Sequence, residues 1–284
     1  MKQKKRIVAL VAAALLVLFV VWMIWGNVAL TVTEYSVTNE KIPQSFSGFR
    51  IAQVSDLHNA EFGKDNRRLL AQLKKADPDI IVLTGDLIDS QRTNVEIAVD
   101  FAHAASEIAP TYYVTGNHEN RVLDEYLRLK DGLVSAGVFV LENEKIELAR
   151  EGDAIALVGL HDPAFAGAVT VSESEEFVSR ALSELTKPDS YDVVLAHRPQ
   201  YYSEYKASHA DLVLSGHFHG GQFRLPFIGG LYAPSQGFFP EYDGGIYAEE
   251  QTVMVVSRGV GNSSFPIRFN NPPEIVLVEL VKEE

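Results

Sequence analysis

The sequence contains no cysteine, which excludes disulfide bonds and metal sites built from thiolates. Positive charge is also scarce, since 25 Lys and Arg residues stand against 38 Asp and Glu residues. Four of the basic residues lie in the first six positions, so 21 basic residues remain against 38 acidic ones, a formal charge of −17. Because nucleic acids and anionic lipid surfaces are bound through Lys and Arg, we expect neither a nucleic-acid partner nor attachment to a membrane by charge.

Charge is absent altogether from residues 7–25, which follow the basic N-terminal residues 1–6. A helix of this length, rising about 1.5 Å per residue, approaches the roughly 30 Å hydrocarbon core of a bilayer, so we expect a transmembrane helix. It is either an uncleaved signal anchor or a cleaved signal peptide; its length and the poor cleavage site at residues 27–29 favour the anchor. Basic flanks remain in the cytoplasm, which predicts a single-pass protein of the cell membrane whose domain, residues 28–284, is extracytoplasmic.

Short apolar runs alternate with amphipathic segments in the first half of this domain, and adjacent apolar runs dominate the second half. The runs that predict strands are Val28–Thr38, Arg50–Val54, Ile80–Thr84, Tyr112–Thr115, Ala154–Leu160, Asp192–Ala196, Leu212–Leu214, Val253–Ser257 and Ile275–Leu280. Helical spacing predicts helices at Asn66–Ala76, Val95–Ile108, Leu123–Ser135 and Glu175–Leu185. This order predicts a single α/β domain with helices on the sheet faces. Residues 223–247, rich in Gly, Pro and aromatic residues, predict a long ordered loop.

Polar residues collect at the ends of five predicted strands, where open α/β sheets bind their ligands. They are Asp56 and His58, Asp86 and Asp89, Asn117 with His118 and Glu119, His197, and His217 with His219. Any one group reads equally well as an ordinary turn, but five together predict a common site. His217 and His219 stand two residues apart at a strand end, and side-chain alternation along a strand predicts that both imidazoles point to one side, as a metal ion would require.

These five groups resemble the binuclear metallophosphoesterase (calcineurin-like phosphoesterase) superfamily, whose pattern is D-x-H, G-D-x-x-D, G-N-H-[DE], a lone H and G-H-x-H. Every block is present in order between residues 56 and 219. The GHFHGGQ ending and the N-terminal apolar segment resemble the membrane-anchored bacterial branch. The resemblance implies a four-layer α/β/β/α sandwich and a metal-dependent hydrolase of phosphodiesters, phosphomonoesters or pyrophosphates.

The resemblance also implies a role for each residue of the pattern. One metal ion would be held by Asp56, His58, Asp86 and His219, and the other by Asp86, Asn117, His197 and His217. Hydroxide between the ions would attack phosphorus, and mixed oxygen and nitrogen ligands suit Mn²⁺, Fe or Zn²⁺. His118 would protonate the leaving oxygen as the general acid, with Asp89 orienting its ring. Glu119 is either a supporting carboxylate behind the ligands or a helix-capping one.

A non-catalytic binding or scaffolding module on the same fold is the alternative function, and the complete set of ligands favours the enzyme. The substrate would be a phosphate-containing small molecule, a lipid-linked compound or a cell-envelope polymer. Arg224 and Arg268 could neutralise its phosphate, and His161 with Asp162 could line the pocket. The aromatic residues of 223–247 could receive an acyl chain or lean on the bilayer, although a compact core is the favoured interpretation.

Overall fold

The computed structural model describes residues 2–233, 236–263 and 267–283. The helices are α1 Lys2–Val28, α2 Arg67–Ala76, α3 Val95–Ser106, α4 Asn117–Asn120, α5 Leu123–Ser135, α6 Val171–Leu185 and α7 Tyr202–Ala207. The strands are β1 Thr31–Asn39, β2 Arg50–Val54, β3 Ile80–Thr84, β4 Thr111–Val114, β5 Phe139–Val140, β6 Glu144–Arg150, β7 Asp153–Gly159, β8 Asp192–Leu195, β9 Leu212–Ser215, β10 Arg224–Leu225, β11 Gly229–Gly230, β12 Tyr232–Ala233, β13 Gly237–Phe238, β14 Gly245–Glu249, β15 Thr252–Val256 and β16 Glu274–Lys282.

Helix α1 contains the apolar segment predicted from the sequence and extends beyond it at both ends. Its portion Gln3–Val28 is long and apolar enough to cross a membrane. The sequence prediction of a strand from Val28 is wrong at its start. The helical bond from the Ala29 amide to the Trp25 carbonyl (2.8 Å) is still present, and β1 begins only at Thr31.

Two six-stranded sheets form the body of the protein. The first has the order β1-β16-β2-β3-β4-β5 and the second β14-β15-β9-β8-β7-β6. Strands β2, β3 and β4 are parallel neighbours, as are β7, β8 and β9, so each trio ends at one edge of its sheet. All five residues of β3 are buried, as expected of a strand with both faces covered.

Three apolar cores lie between four layers. The first joins helices α2, α3 and α5 to the outer face of the first sheet, as Leu73 and Phe101 pack with Ile81. The second lies between the sheets and includes Ile51 and Leu214. The third packs α6 and α7 on the second sheet. The α/β/β/α sandwich implied by the resemblance is therefore confirmed.

The segment 223–247 is more regular than the predicted loop. It holds two short hairpins, β10–β11 and β12–β13, followed by the start of β14. The favoured interpretation of its apolar side chains as a compact core is wrong for four of them. Phe227, Ile228, Phe238 and Phe239 are exposed, because each lies in or next to a hairpin with no further layer over it among the described residues.

Candidate metal centre

The site forms where parallel strands of both sheets end. Asp56, Asp86 and Asn117 follow β2, β3 and β4 by two or three residues, and His197 and His217 each follow β8 and β9 by two. Each of these side chains is buried, as are those of His58 and His219. The structure therefore brings together all seven side chains that the resemblance nominated as ligands, from two sheets and five separate parts of the chain.

Asp86 lies at the middle of the group. Its Oδ2 is 3.6 Å from Nε2 of His58 on one side and 3.2 Å from Nε2 of His197 on the other. Nε2 of His219 lies 3.4 Å from Oδ1 of Asp56. Three overlapping clusters of potential ligand atoms result: Asp56–His58–His219, His58–Asp86–His118 and Asp86–His197–His217. The first and the third match the two ion sites that the resemblance implies. This is the arrangement expected of two neighbouring ions that share one carboxylate.

Several nitrogen and oxygen atoms of the site are better placed to coordinate a cation than to form hydrogen bonds with one another. Nε2 of His58 lies 3.2 Å from Nε2 of His219, and Nδ1 of His217 lies 3.2 Å from Nε2 of His197. Two ring nitrogens cannot form a hydrogen bond unless one is protonated, whereas both can direct lone pairs at a metal. Oδ1 of Asn117 is buried without a hydrogen-bond partner among the described residues. The donor set therefore fits divalent ions that prefer mixed oxygen and nitrogen ligands.

Five of the seven side chains project from a left-handed backbone. The φ angles are 55° at Asp56, 45° at His58, 52° at Asp86, 76° at His217 and 48° at His219. The sequence argument from strand alternation at His217 and His219 is therefore wrong, because β9 ends at Ser215 and both residues lie in the turns beyond it. Each histidine contacts a different cluster, so the geometry still suits two ions.

Two motif glycines are required because the chain is crowded beside the carboxylates. A Cβ atom on Gly216 would lie 1.9 Å from Oγ of Ser55 and 2.4 Å from Oδ2 of Asp56. A Cβ atom on Gly116 would lie 2.3 Å from Oδ1 of Asp86. All three distances are far below van der Waals contact, so any larger residue would displace the carboxylate that each glycine abuts.

Glu119 supports the backbone on which the site rests. Its buried carboxylate accepts hydrogen bonds from the amides of Asp86 (3.0 Å), Ile88 (3.3 Å) and Gly116 (2.8 Å). The capping role is the one seen, and the same bonds also brace the segment that carries Asp86. Burial, and then the charge of Asp86, raise the pKa of Glu119 to about 7. Buried carboxylates that repel one another in this way create a field that favours cations.

His118 is held differently from the proposed ligands. The backbone amide and the Oγ of Ser90 both lie 3.1 Å from its Nδ1. Its Nε2 lies 3.2 Å from Nη1 of Arg121 and from Oγ of Ser263. Burial lowers the pKa of His118 to about 4, against the opposing effect of Asp86. Burial therefore favours the neutral form of the ring.

The prediction that Asp89 orients His118 is corrected by these contacts. Asp89 instead accepts hydrogen bonds from the amides of Gln91 (2.9 Å) and Arg92 (3.0 Å), and its Oδ2 lies 3.8 Å from Nδ1 of His58. The turn that starts at Asp89 brings Ser90, and not the Asp89 carboxylate, into hydrogen-bond contact with the His118 ring. Asp89 is thus placed to support His58.

Arg268 does not reach a substrate, and its predicted role is also corrected. The side chain is fully buried and donates to Oδ1 of Asn262 (2.8 Å) and to the carbonyl of Arg258 (2.8 Å). Its Nη2 lies 3.4 Å from Nδ1 of His219. Arg224 is partly exposed but lies 3.2 Å from Asp243, so its substrate role stays a prediction. Arg268 therefore packs against His219 and has no exposed atom with which to bind a phosphate.

The remaining histidine candidate, His161, borders the site without joining any of the three clusters. Its Nδ1 lies 2.9 Å from Oγ1 of Thr115, and its ring packs on Phe165 with the centroids 4.0 Å apart. Asp162 forms a two-point ion pair with Arg198 at 2.6 and 3.0 Å. These contacts fasten the segment after β7 to the residue that follows His197.

Four residues near the site carry no sequence motif that we recognised. Ser90, Arg121 and Ser263 contact His118, and Arg92 lines a cavity of about 440 Å³ that opens on His58. Arg121 could have been found, since it lies three residues after His118, at the C-terminal end of a short helix, and shares the face of His118. Ser263 is far along the chain, and only the folded structure brings it to His118.

Comparison with known proteins agrees with this geometry. The family model for the calcineurin-like phosphoesterases matches residues 49–221. Phosphodiesterase YaeI of Escherichia coli (strain K12) is 32% identical over 237 residues, 82% of this chain and 82% of that protein. Metallophosphoesterase YkuE of Bacillus subtilis (strain 168) is 29% identical over 254 residues, 87% and 84% of the two chains.

A third relative contains further sequence beyond the shared part. The transmembrane protein with metallophosphoesterase domain from Danio rerio is 30% identical over 260 residues, which cover 88% of this chain and 57% of that protein. The family match includes all five blocks of the sequence pattern and the strands that carry them. The chain belongs to the calcineurin-like phosphoesterase family and is a binuclear metallophosphoesterase.

Proposed function

We propose that this protein hydrolyses phosphodiesters, phosphomonoesters or pyrophosphates outside the cytoplasmic membrane. The domain that carries the site comprises residues 28–284, and the preceding helix anchors it. Asp56, His58, Asp86 and His219 hold one metal ion, and Asp86, Asn117, His197 and His217 hold the other. Mn²⁺, Fe and Zn²⁺ are the ions that suit these ligands.

One observation carries the proposal. The Asp86 carboxylate lies between His58 and His197, at 3.6 and 3.2 Å, and each of these histidines has a second histidine 3.2 Å away. A purely structural cluster would be expected to satisfy its buried nitrogens with hydrogen bonds to protein groups. Here the ring nitrogens meet one another and a shared carboxylate, which supports a two-ion centre over the non-catalytic alternative.

When bound, the ions supply charge stabilisation for phosphate oxygens and lower the pKa of water. His118 supplies the proton for the leaving oxygen from Nε2: the amide of Ser90 donates to its Nδ1, and a leaving oxygen at Nε2 takes the place of Nη1 of the exposed Arg121. Negative charge on a bound phosphate favours the protonated ring and so offsets the effect of burial. Arg92, in the wall of the cavity beside His58, is positioned to contact a phosphate group that enters from solvent.

The charge of the N-terminal residues supports the side of the membrane on which we place the domain. Lys2, Lys4, Lys5 and Arg6 precede the apolar helix, and basic residues that flank such a helix stay in the cytoplasm. Residues after the helix, including every proposed ligand, then lie outside the cytoplasmic membrane.

The test is metal content and activity of the full-length protein purified in detergent. Elemental analysis should find two ions per chain, with turnover of p-nitrophenyl phosphate, bis(p-nitrophenyl) phosphate or inorganic pyrophosphate. Asp86→Asn should lose both metal and activity, because it removes the shared anionic ligand. Asp100→Asn, an exposed position on α3, makes the same chemical change and should lose neither. A metal-free protein with full activity would end the two-ion account.

A further inference from the structure

Helix α1 is fixed against a segment of the domain that lies next to the metal centre. The indole of Trp22 meets the ring of Phe269 edge-on with the centroids 4.9 Å apart, and the ring of Phe19 lies 6.3 Å from it. The Asn27 side chain donates to the carbonyl of Arg268 (2.9 Å) and accepts from its amide (2.7 Å). These contacts hold residues 267–269 alongside the last turns of the helix.

The depth of that contact follows from helix geometry. If residue 7 lies at the inner edge of the hydrocarbon layer, a rise of about 1.5 Å per residue puts Trp22 about 22 Å further along. A hydrocarbon layer of roughly 30 Å then ends near residue 27. Phe269, which contacts both Trp22 and Phe19, therefore lies at the level of the outer leaflet.

The hairpin β10–β11 lies directly beside this segment. The Arg224 amide donates to the carbonyl of Phe269 (2.9 Å), and the rings of Phe223 and Phe269 stack with the centroids 6.3 Å apart. At the tip, Phe227 is fully exposed with a left-handed φ of 67°, a conformation that an aromatic residue rarely adopts. A strained backbone that holds an aromatic ring in the open is typical of a binding surface.

We use the name apolar rim for the exposed side chains Phe227, Ile228, Phe238, Phe239 and Ile267. The sequence from 225 to 240 contains no Asp, Glu, Lys or Arg, in a domain that otherwise carries a strong negative charge. An acidic domain can approach a lipid surface only through an uncharged face. The apolar rim is such a face, and Phe269, which packs on α1, joins it through Ile267 two residues away and through the hairpin β10–β11.

The segment around Arg268 also contacts the metal centre, through Arg268 and Asn271. Nη2 of Arg268 lies 3.4 Å from Nδ1 of His219, and the Asn271 side chain donates to the His219 carbonyl (2.6 Å). Ile267 is exposed and Phe269 packs on Trp22 and Phe223, whereas Arg268 between them is fully buried next to His219. A single side chain therefore separates this surface segment from a proposed ligand.

We propose that the apolar rim inserts into the outer leaflet beside α1 and that the site takes its phosphate ester from an amphiphile of the same membrane. The lipid occupant is chosen because the helix brings the bilayer to this face and because the rim is apolar and uncharged. The substrate class rests on the proposed hydrolase function, but the insertion of the rim does not. The two statements are therefore tested separately.

Insertion is tested with single-cysteine variants of the full chain, which the natural absence of cysteine makes straightforward. Phe227→Cys carries an environment-sensitive fluorophore in proteoliposomes of uncharged phosphatidylcholine. Its emission should shift to the blue and be quenched by lipids with brominated acyl chains. His209→Cys is the matched control, because His209 is exposed and precedes β9, at the sheet edge opposite the site. The fluorophore at position 209 should emit at the wavelength that it shows in water.

Two results would overturn insertion. One is emission from position 227 that equals the emission from position 209. The other is a blue shift that brominated lipid does not quench and that vanishes on dilution of the protein, which would assign the rim to contact between copies of the chain.

The substrate class is tested with phosphate esters that differ only in their acyl chains. Phosphatidic acid and phosphatidylglycerol in the bilayer are compared with glycerol 3-phosphate and glycerophosphoglycerol in solution. The wild type should hydrolyse at least one of the two lipids faster than the water-soluble ester that has the same headgroup. The double change Phe227→Ser with Phe238→Ser should slow that lipid at least about tenfold and spare p-nitrophenyl phosphate, because only the lipid needs the rim.

Equal turnover of lipids and headgroups, or an unchanged lipid rate in the double variant, would overturn the assigned substrate class. A protein that hydrolyses none of these esters, nor the nitrophenyl esters, would refute the hydrolase function itself. In that case a quenched blue shift at position 227 would still establish insertion, so the two failures can be told apart.

Discussion

The backbone amide of Ser90 donates a hydrogen bond to Nδ1 of His118 at 3.1 Å. Its Nε2 lies 3.2 Å from Oγ of Ser263 and 3.2 Å from Nη1 of Arg121, and a guanidinium can only donate. A neutral imidazole has one protonated nitrogen, so it cannot accept from both the Ser90 amide and Arg121. The Ser90 amide is fixed by the course of the chain, whereas the exposed Arg121 side chain can rotate away, so the backbone bond favours a proton on Nε2. His118 thereby presents a proton beside His58 and Asp86, outside the two ligand sets that the resemblance implies.

The first prediction concerns the role of that proton. His118→Ala should slow hydrolysis of alkyl phosphate esters by about 10²- to 10⁴-fold, because an alkoxide must be protonated as it leaves. It should spare much of the activity on p-nitrophenyl phosphate, whose leaving group is a stable anion. Steady-state rates on both substrates and the metal content of the variant are the measurements.

His217→Ala provides the comparison for His118→Ala. It removes a proposed ligand, so it should reduce the metal content and slow both substrates alike. Equal loss on both substrates together with loss of metal in His118→Ala would show that His118 is a ligand or a structural residue.

The second prediction concerns the close approach at Gly216. Gly216→Ala should lower the number of bound metal ions and should lower activity at least about 100-fold. The circular dichroism spectrum should stay that of the wild type. The added methyl group would meet Ser55 and Asp56, which are fully buried and cannot move aside cheaply. Gly26→Ala makes the same change where no atom lies within 4 Å, and it should leave both properties intact. An active, metal-loaded Gly216→Ala protein would show that the backbone after β2 can shift to make room for the methyl group.

The third prediction concerns pH and the ion pair at the start of β16. The Glu274 carboxylate accepts hydrogen bonds from Nε and Nη2 of Arg258 at 3.0 and 2.8 Å and from the Thr33 hydroxyl. Burial raises the pKa of Glu274, but the bonds from Arg258 and Thr33 outweigh it and hold the pKa below 4.5. A depressed pKa means that the pair stabilises the fold above about pH 4.5 and that this stabilisation is lost as the pH falls below it.

Glu274→Gln should therefore lower the free energy of unfolding by about 3 kcal/mol at pH 7, since it leaves the Arg258 charge without a partner. The difference from the wild type should shrink as the pH falls through 4.5 toward 3. Urea unfolding of the full chain in detergent, followed by circular dichroism, measures both. Glu147→Gln, on the exposed face of β6, is the control and should change neither. A difference between Glu274→Gln and wild type that stays constant down to pH 3 would contradict the assigned pKa direction.

The fourth prediction concerns orientation in the membrane. Protease added to intact spheroplasts should digest residues 28–284, because the basic residues 1–6 hold the other end of the helix in the cytoplasm. Immunoblotting against the C-terminus measures the digestion, and a cytoplasmic protein serves as the control for lysis. Full protection of the domain would reverse the orientation. A mature N-terminus near Leu30, found by mass spectrometry, would favour a cleaved signal peptide over the anchor.

The sequence predicted which motif residues form the site better than it predicted which side chains contact them. Motif residues such as Asp86 and His197 follow apolar strands, and parallel strands end at a common edge, so their convergence could be foreseen. The error at Asp89 has a local cause. Its carboxylate caps the turn that follows, and spacing alone does not show which way such a turn directs a side chain.

Arg268 illustrates a different limit. Its sequence surroundings resemble those of an exposed loop arginine, but the chain returns there to meet both the end of α1 and His219, some 240 and 50 residues earlier. The left-handed backbone at Asp56 and His217 was also beyond the sequence pattern. Asp and His adopt this conformation more often than most non-glycine residues, but residue type alone does not predict it at a given position, because the surrounding fold must stabilise it.

The position of β16 has a consequence for how the protein is made. The last strand lies between β1 and β2, and β1 pairs with β16 along its whole length. During synthesis, β1 is made first yet must wait for residues 274–282 before its partner exists. Contacts between such distant parts of a chain form late and slowly. Until residues 274–282 have been synthesised, the exposed edge of β2 is a place where a chaperone, or another unfinished chain, can bind.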